Sequence, residues 1–241
     1  MHDFLPDEPM MTVAERAAIN AGPWFSSLSP TLRHDILRHA RARRYPDGRL
    51  ICARGDPAQE WSGVARGAVR VSGGSAAGKQ VILTYVAPGA WIGDVGILAG
   101  GVRTHDAYAH GDTTLVTVQK ADLHAILARH MELYDALLRL QARRVQHLFK
   151  VVEEVHTLSL RERLAKQLGR LMRSYGVPSA ADGQEVRIGL QLAQEDLAQL
   201  LGASRQRVNQ QLKVMEREEA IRIRPGTLVV RDPQALTSLP G

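Results

Sequence analysis

One stretch constrains this chain more than any other, because residues 194–213 have the spacing of a helix-turn-helix. Ala198 is small where two helices cross, and Gly202 can take the left-handed conformation that ends the first helix. Ser204 is suited to cap the second helix, and Val208 falls on its buried side. The spacing predicts a helix-turn-helix, with an ordinary helical hairpin packed in a core as the alternative.

The second helix of this pair has an outward face of polar residues. Their donor and acceptor groups suit the edges of guanine and adenine in a major groove. Arg205 fits a bidentate contact with guanine, whereas Gln206 and Gln210 favour adenine or a relaxed preference. We therefore predict that the residues in contact with DNA are Ser204, Arg205, Gln206, Asn209 and Gln210.

A short β-hairpin is predicted directly after this helix. Residues 221–230 alternate apolar and charged side chains on either side of Pro225 and Gly226. A hairpin in this position is a wing. Its arginines suit phosphates, and phosphate contacts position a protein without reading sequence. The arginines concerned are Arg222, Arg224 and Arg231.

Charge and cysteine content narrow the function classes. The 241 residues allow one or two domains and carry a formal net charge of +6, which favours a polyanionic partner. The basic excess is denser in residues 161–241, with thirteen Lys/Arg and nine Asp/Glu. A single cysteine, Cys52, excludes an intramolecular disulfide and by itself holds neither an iron–sulfur cluster nor a structural zinc.

The sequence shows neither a secretion signal nor a membrane span. The first twenty residues contain Asp3, Asp7 and Glu8 and have no basic stretch before an apolar run. No apolar stretch approaches the roughly 20 residues of a membrane-spanning helix. We therefore expect a cytoplasmic protein with no membrane partner.

The N-terminal half is predicted to be a β domain. A tail (residues 1–22) precedes a helix predicted over 32–41, which Ser29 and Pro30 begin. Between Arg43 and Val118 follow short β segments separated by Gly- and Pro-containing turns, predicted at 50–53, 68–72, 80–86 and 114–118. This spacing predicts a β-roll or sandwich.

A long helix is predicted over residues 133–158, which contain neither Pro nor Gly. One apolar stripe on it consists of Leu133, Leu137 and Leu140. The second, called the seam below, has a heptad-like spacing and consists of Leu138, Val145, Leu148, Val152 and Val155. Two stripes imply two packing partners, the chain's own β domain and the same helix of a second subunit. We predict a homodimer, with a helix buried inside one monomer as the alternative.

Shorter helices are predicted on either side of the long one, over residues 122–129 and 164–171. A turn-rich link over 177–189 joins the second of them to the helix-turn-helix.

Together, a β-roll, a long helix and a winged helix resemble the cyclic-AMP receptor protein and fumarate–nitrate reduction regulator (CRP/FNR) family of bacterial transcription factors. The resemblance covers about residues 23–235 and is carried, beyond the DNA-binding stretch, by residues 67–72, 86–94 and 142–145. It implies an α+β fold with four parts: a tail (1–22), a β-roll effector domain of the cyclic-nucleotide-binding type (23–131), a dimerisation helix (132–160) and a winged helix-turn-helix domain (161–241).

The resemblance also implies an effector site. In members that bind cyclic nucleotides, a Gly-Glu pair contacts the ribose and a downstream Arg-Ser or Arg-Thr pair contacts the cyclic phosphate. Gly93, Asp94, Arg103 and Thr104 occupy the matching positions. A helix start, a guanidinium and a hydroxyl suit a phosphate, but Asp94 is one methylene shorter than Glu. A structural role, such as a salt bridge of Arg103 with Asp94 or Asp106, is the alternative.

The adenine-facing part of that site departs from the family. Leu148 and Phe149 stand where the cyclic-AMP receptor protein presents two hydroxyl residues, and neither can hydrogen-bond a purine. This argues against simple cyclic AMP and leaves another anionic effector, such as cyclic di-GMP, or no ligand. His105, His110 and His147 keep haem as a minor alternative, since some relatives bind it.

Among function classes, the sequence favours a homodimeric, sequence-specific transcription regulator that binds double-stranded operator DNA and is controlled by a small anion. A regulator that needs no effector, with the β-roll as a scaffold only, is the alternative. We predict no catalytic or metal site, because neither paired carboxylates in a cleft nor a nucleophile–base spacing is evident. If the protein is an activator, the resemblance implies RNA polymerase as a further partner.

Overall fold

A computed structural model describes residues 11–74, 80–178, 185–224, 226–233 and 236. Residues 1–10 of the predicted tail, 179–184 of the predicted link and Pro225 of the predicted turn lie outside the described residues. Contacts divide the chain into two compact units, 1–78 with 83–145 and 79–82 with 146–241. No described helix is both long and apolar enough to cross a membrane.

The first unit is built around an antiparallel β-roll with helices at its two ends. In chain order the elements up to the long helix are α1 (Val13–Ala21), α2 (Pro23–Ser26), α3 (Pro30–Arg38), β1 (Arg41–Tyr45), β2 (Leu50–Cys52), β3 (Glu60–Gly74), β4 (Gln80–Val86), β5 (Trp91–Ile92), α4 (Asp94–Leu98), β6 (Asp106–Gln119), α5 (Lys120–Arg129) and α6 (Met131–Thr157). Residues 80–82 of β4 and 146–157 of α6 are grouped with the second unit. The strand order is β1-β6-β3-β4, with β2 on β6 and β5 on β3. The predicted α+β class and β-roll are confirmed.

Two strands are much longer than the sequence indicated. The segments predicted at 68–72 and 114–118 are parts of β3 and β6, which pair over nearly their whole lengths. The reason is that glycine inside β3 does not end the strand. Gly67, at φ 71°, lies where the register with β6 shifts, and a Cβ there would lie 2.6 Å from the Asp112 carbonyl oxygen.

Helix α3 ends earlier than predicted. Ser29 caps its start, as expected, with its side chain accepting a hydrogen bond from Leu32 N. The helix stops at Arg38, and Arg41 already begins β1, opposite Thr117 of β6. This charged segment is a strand because it pairs with the long β6, and local spacing does not reveal that pairing.

The core of this unit contains Trp61 and Trp91, and the half-buried Trp24, the third tryptophan of the chain, packs against it. The rings of Trp61 and Trp91 have centroids 4.1 Å apart, and Phe25 stacks on Trp91 at 5.3 Å. The first stripe of α6 closes this core, since Leu133 and Leu137 are buried in it and Leu140 packs against it. The prediction that this stripe packs on the chain's own β domain is confirmed.

Asp35 ties α3 to the end of α5. Its Oδ2 accepts a hydrogen bond from Arg129 Nη2 at 2.8 Å and lies 3.0 Å from His130 Nε2. Burial alone would raise the pKa of this carboxyl, but the hydrogen bonds from Arg129 and His130 and the charge of Arg129 outweigh burial and lower the pKa.

A pH-dependent loss of stability follows. Because the folded pKa of Asp35 is lowered, the stability it contributes is present above the unfolded pKa of about 3.9 and is lost as the pH falls through the folded pKa. Asp35→Asn should lower the urea midpoint at neutral pH, and the gap to wild type should close below about pH 4. A gap that is the same at every pH would contradict the ion-pair role.

The second unit holds α7 (Leu160–Tyr175), β7 (Gly176–Pro178), β8 (Val186–Ile188), α8 (Gln194–Leu201), α9 (Arg205–Arg217), β9 (Ile221–Arg224) and β10 (Thr227–Val230). The four strands form one sheet in the order β7-β8-β10-β9. The predicted wing hairpin is confirmed as β9 and β10, and the supposed turn-rich link supplies two further strands. Helix α7 is longer than the predicted 164–171, because Ser159 and Glu162 form a capping box at its start.

Candidate functional site

The helix-turn-helix has the geometry that the sequence predicted. Ala198 is buried in the first helix, α8, and Gly202 ends that helix in the left-handed conformation at φ 62°. The Ser204 side chain accepts a hydrogen bond from Arg207 N at 3.4 Å, which caps the second helix, α9. Val208 is fully buried. The prediction of a helix-turn-helix is confirmed.

Polar groups cover the outward side of α9. Arg205, Gln206 and Gln210 are exposed, and Asn209 is half-buried. Among the described residues, no carboxylate forms an ion pair with Arg205. Its guanidinium is therefore available to an external acceptor, as a base contact requires.

The wing arginines differ in their partners. Arg222 forms two hydrogen bonds with the Glu185 carboxylate, at 3.0 and 3.3 Å, and Arg231 Nε lies 3.3 Å from the same carboxylate. Arg231 also pairs with Glu219 at 3.3 Å. Arg224 is exposed and has no ion-pair partner among the described residues. Local spacing did not indicate these pairings, because Glu185 belongs to the predicted link.

These pairings change what each wing arginine is expected to do on DNA. Arg224→Ala should weaken binding to every DNA sequence alike and lower the salt slope of log K by about 1. Arg222→Ala should lower it less, because Glu185 already balances that charge. Fluorescence anisotropy titrations over a range of salt concentrations measure both slopes. A larger change for Arg222→Ala would show that Glu185 releases Arg222 on DNA.

The turn at Gly93 begins the predicted effector site. Gly93 lies at φ 94°, in the left-handed region, and precedes the short helix α4. Asp94 is fully buried, and its Oδ2 accepts hydrogen bonds from Gln141 Nε2 and, at 2.7 Å, from Arg144 Nη1. Arg144 Nη2 also donates to the Trp91 carbonyl oxygen at 2.6 Å. The other oxygen of Asp94, Oδ1, is buried and accepts no hydrogen bond in the described structure.

Of the two predicted phosphate-binding residues, Arg103 lies beside this turn. Arg103 Nη1 is 2.5 Å from where a Cβ on Gly93 would stand, so the guanidinium lies directly against Gly93. Neither Asp94 nor Asp106 forms a salt bridge with Arg103 in the part of the chain that the structure describes. Thr104 is exposed, and its hydroxyl lies 2.9 Å from His105 Nδ1.

Two residues of this region have a role that the prediction did not give them. Gln141 and Arg144 lie one helical turn apart on α6 and both bind Asp94. Arg144 contributed to the family resemblance, but no charge pattern within α6 indicated its partner, which lies 50 residues away.

The seam of α6 is solvent-exposed in the single chain. Its five residues are between 48% and 69% exposed, and Phe149 beside it is 71% exposed. Contiguous apolar surface of this kind marks an interaction site in soluble proteins.

Comparisons with known proteins agree with this architecture. Residues 42–130 match the model of the cyclic nucleotide-binding domain, and residues 162–239 match that of the Crp-like helix-turn-helix domain. A relative named CRP-like cAMP-activated global transcriptional regulator, from Mycobacterium tuberculosis, is 26% identical over 212 residues, which are 88% of this chain and 93% of the relative.

Two solved structures show the same fold. FixK2 from Bradyrhizobium japonicum has a TM-score of 0.75 and 21% identity, covering 84% of this chain and 98% of that one. The regulator CLP of Xanthomonas campestris, described as c-di-GMP responsive, has a TM-score of 0.70 and 20% identity, covering 84% of this chain and 99% of that one.

Proposed function

The chain belongs to the CRP/FNR family of DNA-binding transcription regulators, and on that premise we propose that it acts in the cytoplasm as a sequence-specific homodimer controlled by a small anionic effector. The observation that carries the proposal is the outward side of α9, where Arg205, Gln206 and Gln210 are exposed on a helix that a buried face and a capped start hold in place. Such a helix fits a major groove. A mobility-shift assay on promoter fragments with unlabelled competitor DNA tests it.

The exposed seam supports the homodimer. A stripe with heptad-like spacing packs best against a copy of itself across a two-fold axis. Such an axis would present two recognition helices to successive major grooves, about 34 Å apart, and would require a palindromic operator. If the protein activates transcription, RNA polymerase is a third partner.

The surroundings of Gly93 support an anionic effector. Arg103 lies against the turn without an ion-pair partner among the described residues, so its charge is available to a phosphate. Oδ1 of Asp94 is a buried acceptor without a donor, and a ribose hydroxyl would supply one. Both features suit a cyclic nucleotide or a cyclic dinucleotide such as cyclic di-GMP.

Removing the charge of Arg103 should make operator affinity independent of the ligand. Arg103→Ala should abolish the effect of the active nucleotide on operator affinity and leave the dimer and basal DNA binding intact, because the charge serves only the bound state. Calorimetry against a panel of cyclic mono- and dinucleotides, followed by operator titrations, measures this. We expect cyclic AMP to be inactive, because Leu148 and Phe149 offer no hydrogen bond to adenine. Micromolar binding of cyclic AMP would contradict that expectation, and an unchanged ligand response in the variant would contradict the role of Arg103.

A regulator that needs no effector is the second candidate, and one observation favours it. Arg144 and Gln141 already hold Oδ2 of Asp94, so the chain itself fills the contact that joins the Gly93 turn to α6. If none of the nucleotides binds and the free protein has full operator affinity, this candidate replaces the first. Arg144→Gln should then weaken operator binding without any ligand.

A further inference from the structure

A cavity of about 300 Å³ lies in the second unit, and none of the described residues that line it belongs to α9. It opens between the C-terminal part of α6 and helix α7, and its volume is at the lower end of the range for small-molecule sites. None of the seam residues lines it, so a dimer formed through the seam leaves the cavity to a ligand.

Cations outnumber carboxylates in the lining. The carboxylates are Glu154 and Glu162, and the lysine and arginine side chains are Lys150, Lys166, Arg170 and Arg173. Glu162 is already engaged, because its side chain accepts a hydrogen bond from Ser159 N at 2.7 Å. Neither Lys150 nor Arg173 has an ion-pair partner among the described residues. The cavity therefore offers an uncompensated positive charge.

Glu154 is a buried carboxylate in the lining of the cavity. It is 5% exposed, Arg170 donates a hydrogen bond to its Oε2, and Lys166 Nζ forms an ion pair with Oε1 at 3.3 Å. Burial alone would raise the pKa of Glu154, but the hydrogen bonds and charges of Arg170 and Lys166 outweigh burial and lower the pKa. Oε1 is buried and has the Lys166 ammonium as its ion-pair partner, and because a carboxylate oxygen can accept more than one hydrogen bond, it can also accept one from a ligand hydroxyl.

A glycine inside helix α7 lies in the wall of the cavity. Gly169 is buried in α7. Leaving aside its chain neighbours and the backbone of its own helix, the one atom of the described residues within 4 Å of an added Cβ is Arg173 Nη1, at 3.7 Å. Packing in the described structure therefore does not require glycine here, although glycine weakens a helix relative to alanine. Gly169 is one of the residues that line the cavity, so a larger side chain there would reduce the room for a ligand.

We propose that this cavity is a second ligand site, which binds a small phosphate-bearing molecule that also carries a hydroxyl donor, the chemistry of a sugar phosphate. Arg173 and Lys150 would hold the phosphate, since charge-assisted hydrogen bonds to phosphate are the strong ones. Glu154 Oε1 would accept from the hydroxyl, and Gly169 would give the ligand room. The ligand would bridge α6 and α7, which Glu154 already joins through Arg170 and Lys166.

Calorimetric titration of the full chain with ribose 5-phosphate tests the site. We expect saturable binding to wild type and about tenfold weaker binding to Arg173→Gln, because one charge-assisted contact is lost. Arg16→Gln removes the same charge from the exposed side of α1 and should bind like wild type. Gly169→Ala should raise the melting temperature yet weaken binding, a combination that general destabilisation cannot produce.

Three results would each overturn the proposal. They are the absence of saturable heat at millimolar ligand, full affinity in Gly169→Ala, and equal losses of affinity in Arg173→Gln and Arg16→Gln. Arg103→Ala separates it from the proposed function. If that variant alone loses ribose 5-phosphate, the ligand binds in the β domain, and the second site is wrong while an anionic effector site is supported.

Discussion

Val145→Glu should convert the dimer into a monomer at micromolar concentration and weaken operator binding by a hundredfold or more. The two-fold axis places the new carboxylate in an apolar interface near its own copy, and an uncompensated buried charge costs about 3–5 kcal/mol. By the usual relation between free energy and affinity, that cost weakens dimerisation by roughly a hundredfold or more. Sedimentation equilibrium and an operator titration on the same sample measure the two effects.

Gln146→Glu is the matched control for this prediction. It introduces the same side chain at the next position of α6, which points about 100° away from Val145 around the helix, where glutamine is already exposed. We expect its dimerisation and operator affinity to equal those of wild type. A wild-type protein that sediments as a monomer at micromolar concentration would refute the seam as the dimer interface, whatever the variants do.

The helix-turn-helix was predictable because its determinants are local. A small residue at the helix crossing, a glycine able to adopt φ 62° and a serine cap occur within seven residues, and each acts on backbone close to it. The two stripes of α6 were predictable for the same reason, since helical periodicity alone assigns residues to faces. The first stripe indeed lies in the core of the β domain.

Features that depend on distant partners were not predictable. The length of β3 and β6 comes from pairing across the sheet, so Gly67, which lies just outside the predicted segment 68–72, is inside β3 at a shift of the register. The segment that contains β7 and β8 has no clear period-two pattern. These strands form because β8 pairs with β10 and β7 pairs with β8.

The site prediction did not include the ion pairs that the structure shows. The family resemblance implied a ribose contact for Asp94, and the hairpin pattern predicted a phosphate contact for Arg222. In the structure Asp94 pairs with Arg144 and Arg222 pairs with Glu185. Such partners are chosen by which side chains the fold brings together, and one sequence does not contain that information. The pairs leave both roles as predictions, and the salt slope of Arg222→Ala tests the second of them.

Arg205→Ala should cost about 1–3 kcal/mol on the best operator and relax the preference at one base pair of each half-site. Arg205 is the first residue of α9, exposed, and without an ion-pair partner among the described residues, so its fork can reach a guanine edge. Selection of bound sequences from a randomised half-site, followed by titration of single-base variants, measures both effects.

Arg207→Ala is the control that separates base reading from charge. It removes the same charge two residues later, so the side chain projects from the far side of α9, and it is also exposed. A lost phosphate or long-range attraction weakens every DNA sequence alike, whereas a lost bidentate contact weakens only sequences with the matching base. We therefore expect Arg207→Ala to leave the base preference of the half-site unchanged. If Arg205→Ala loses affinity equally on the operator and on random DNA, the assignment of Arg205 to base recognition is wrong.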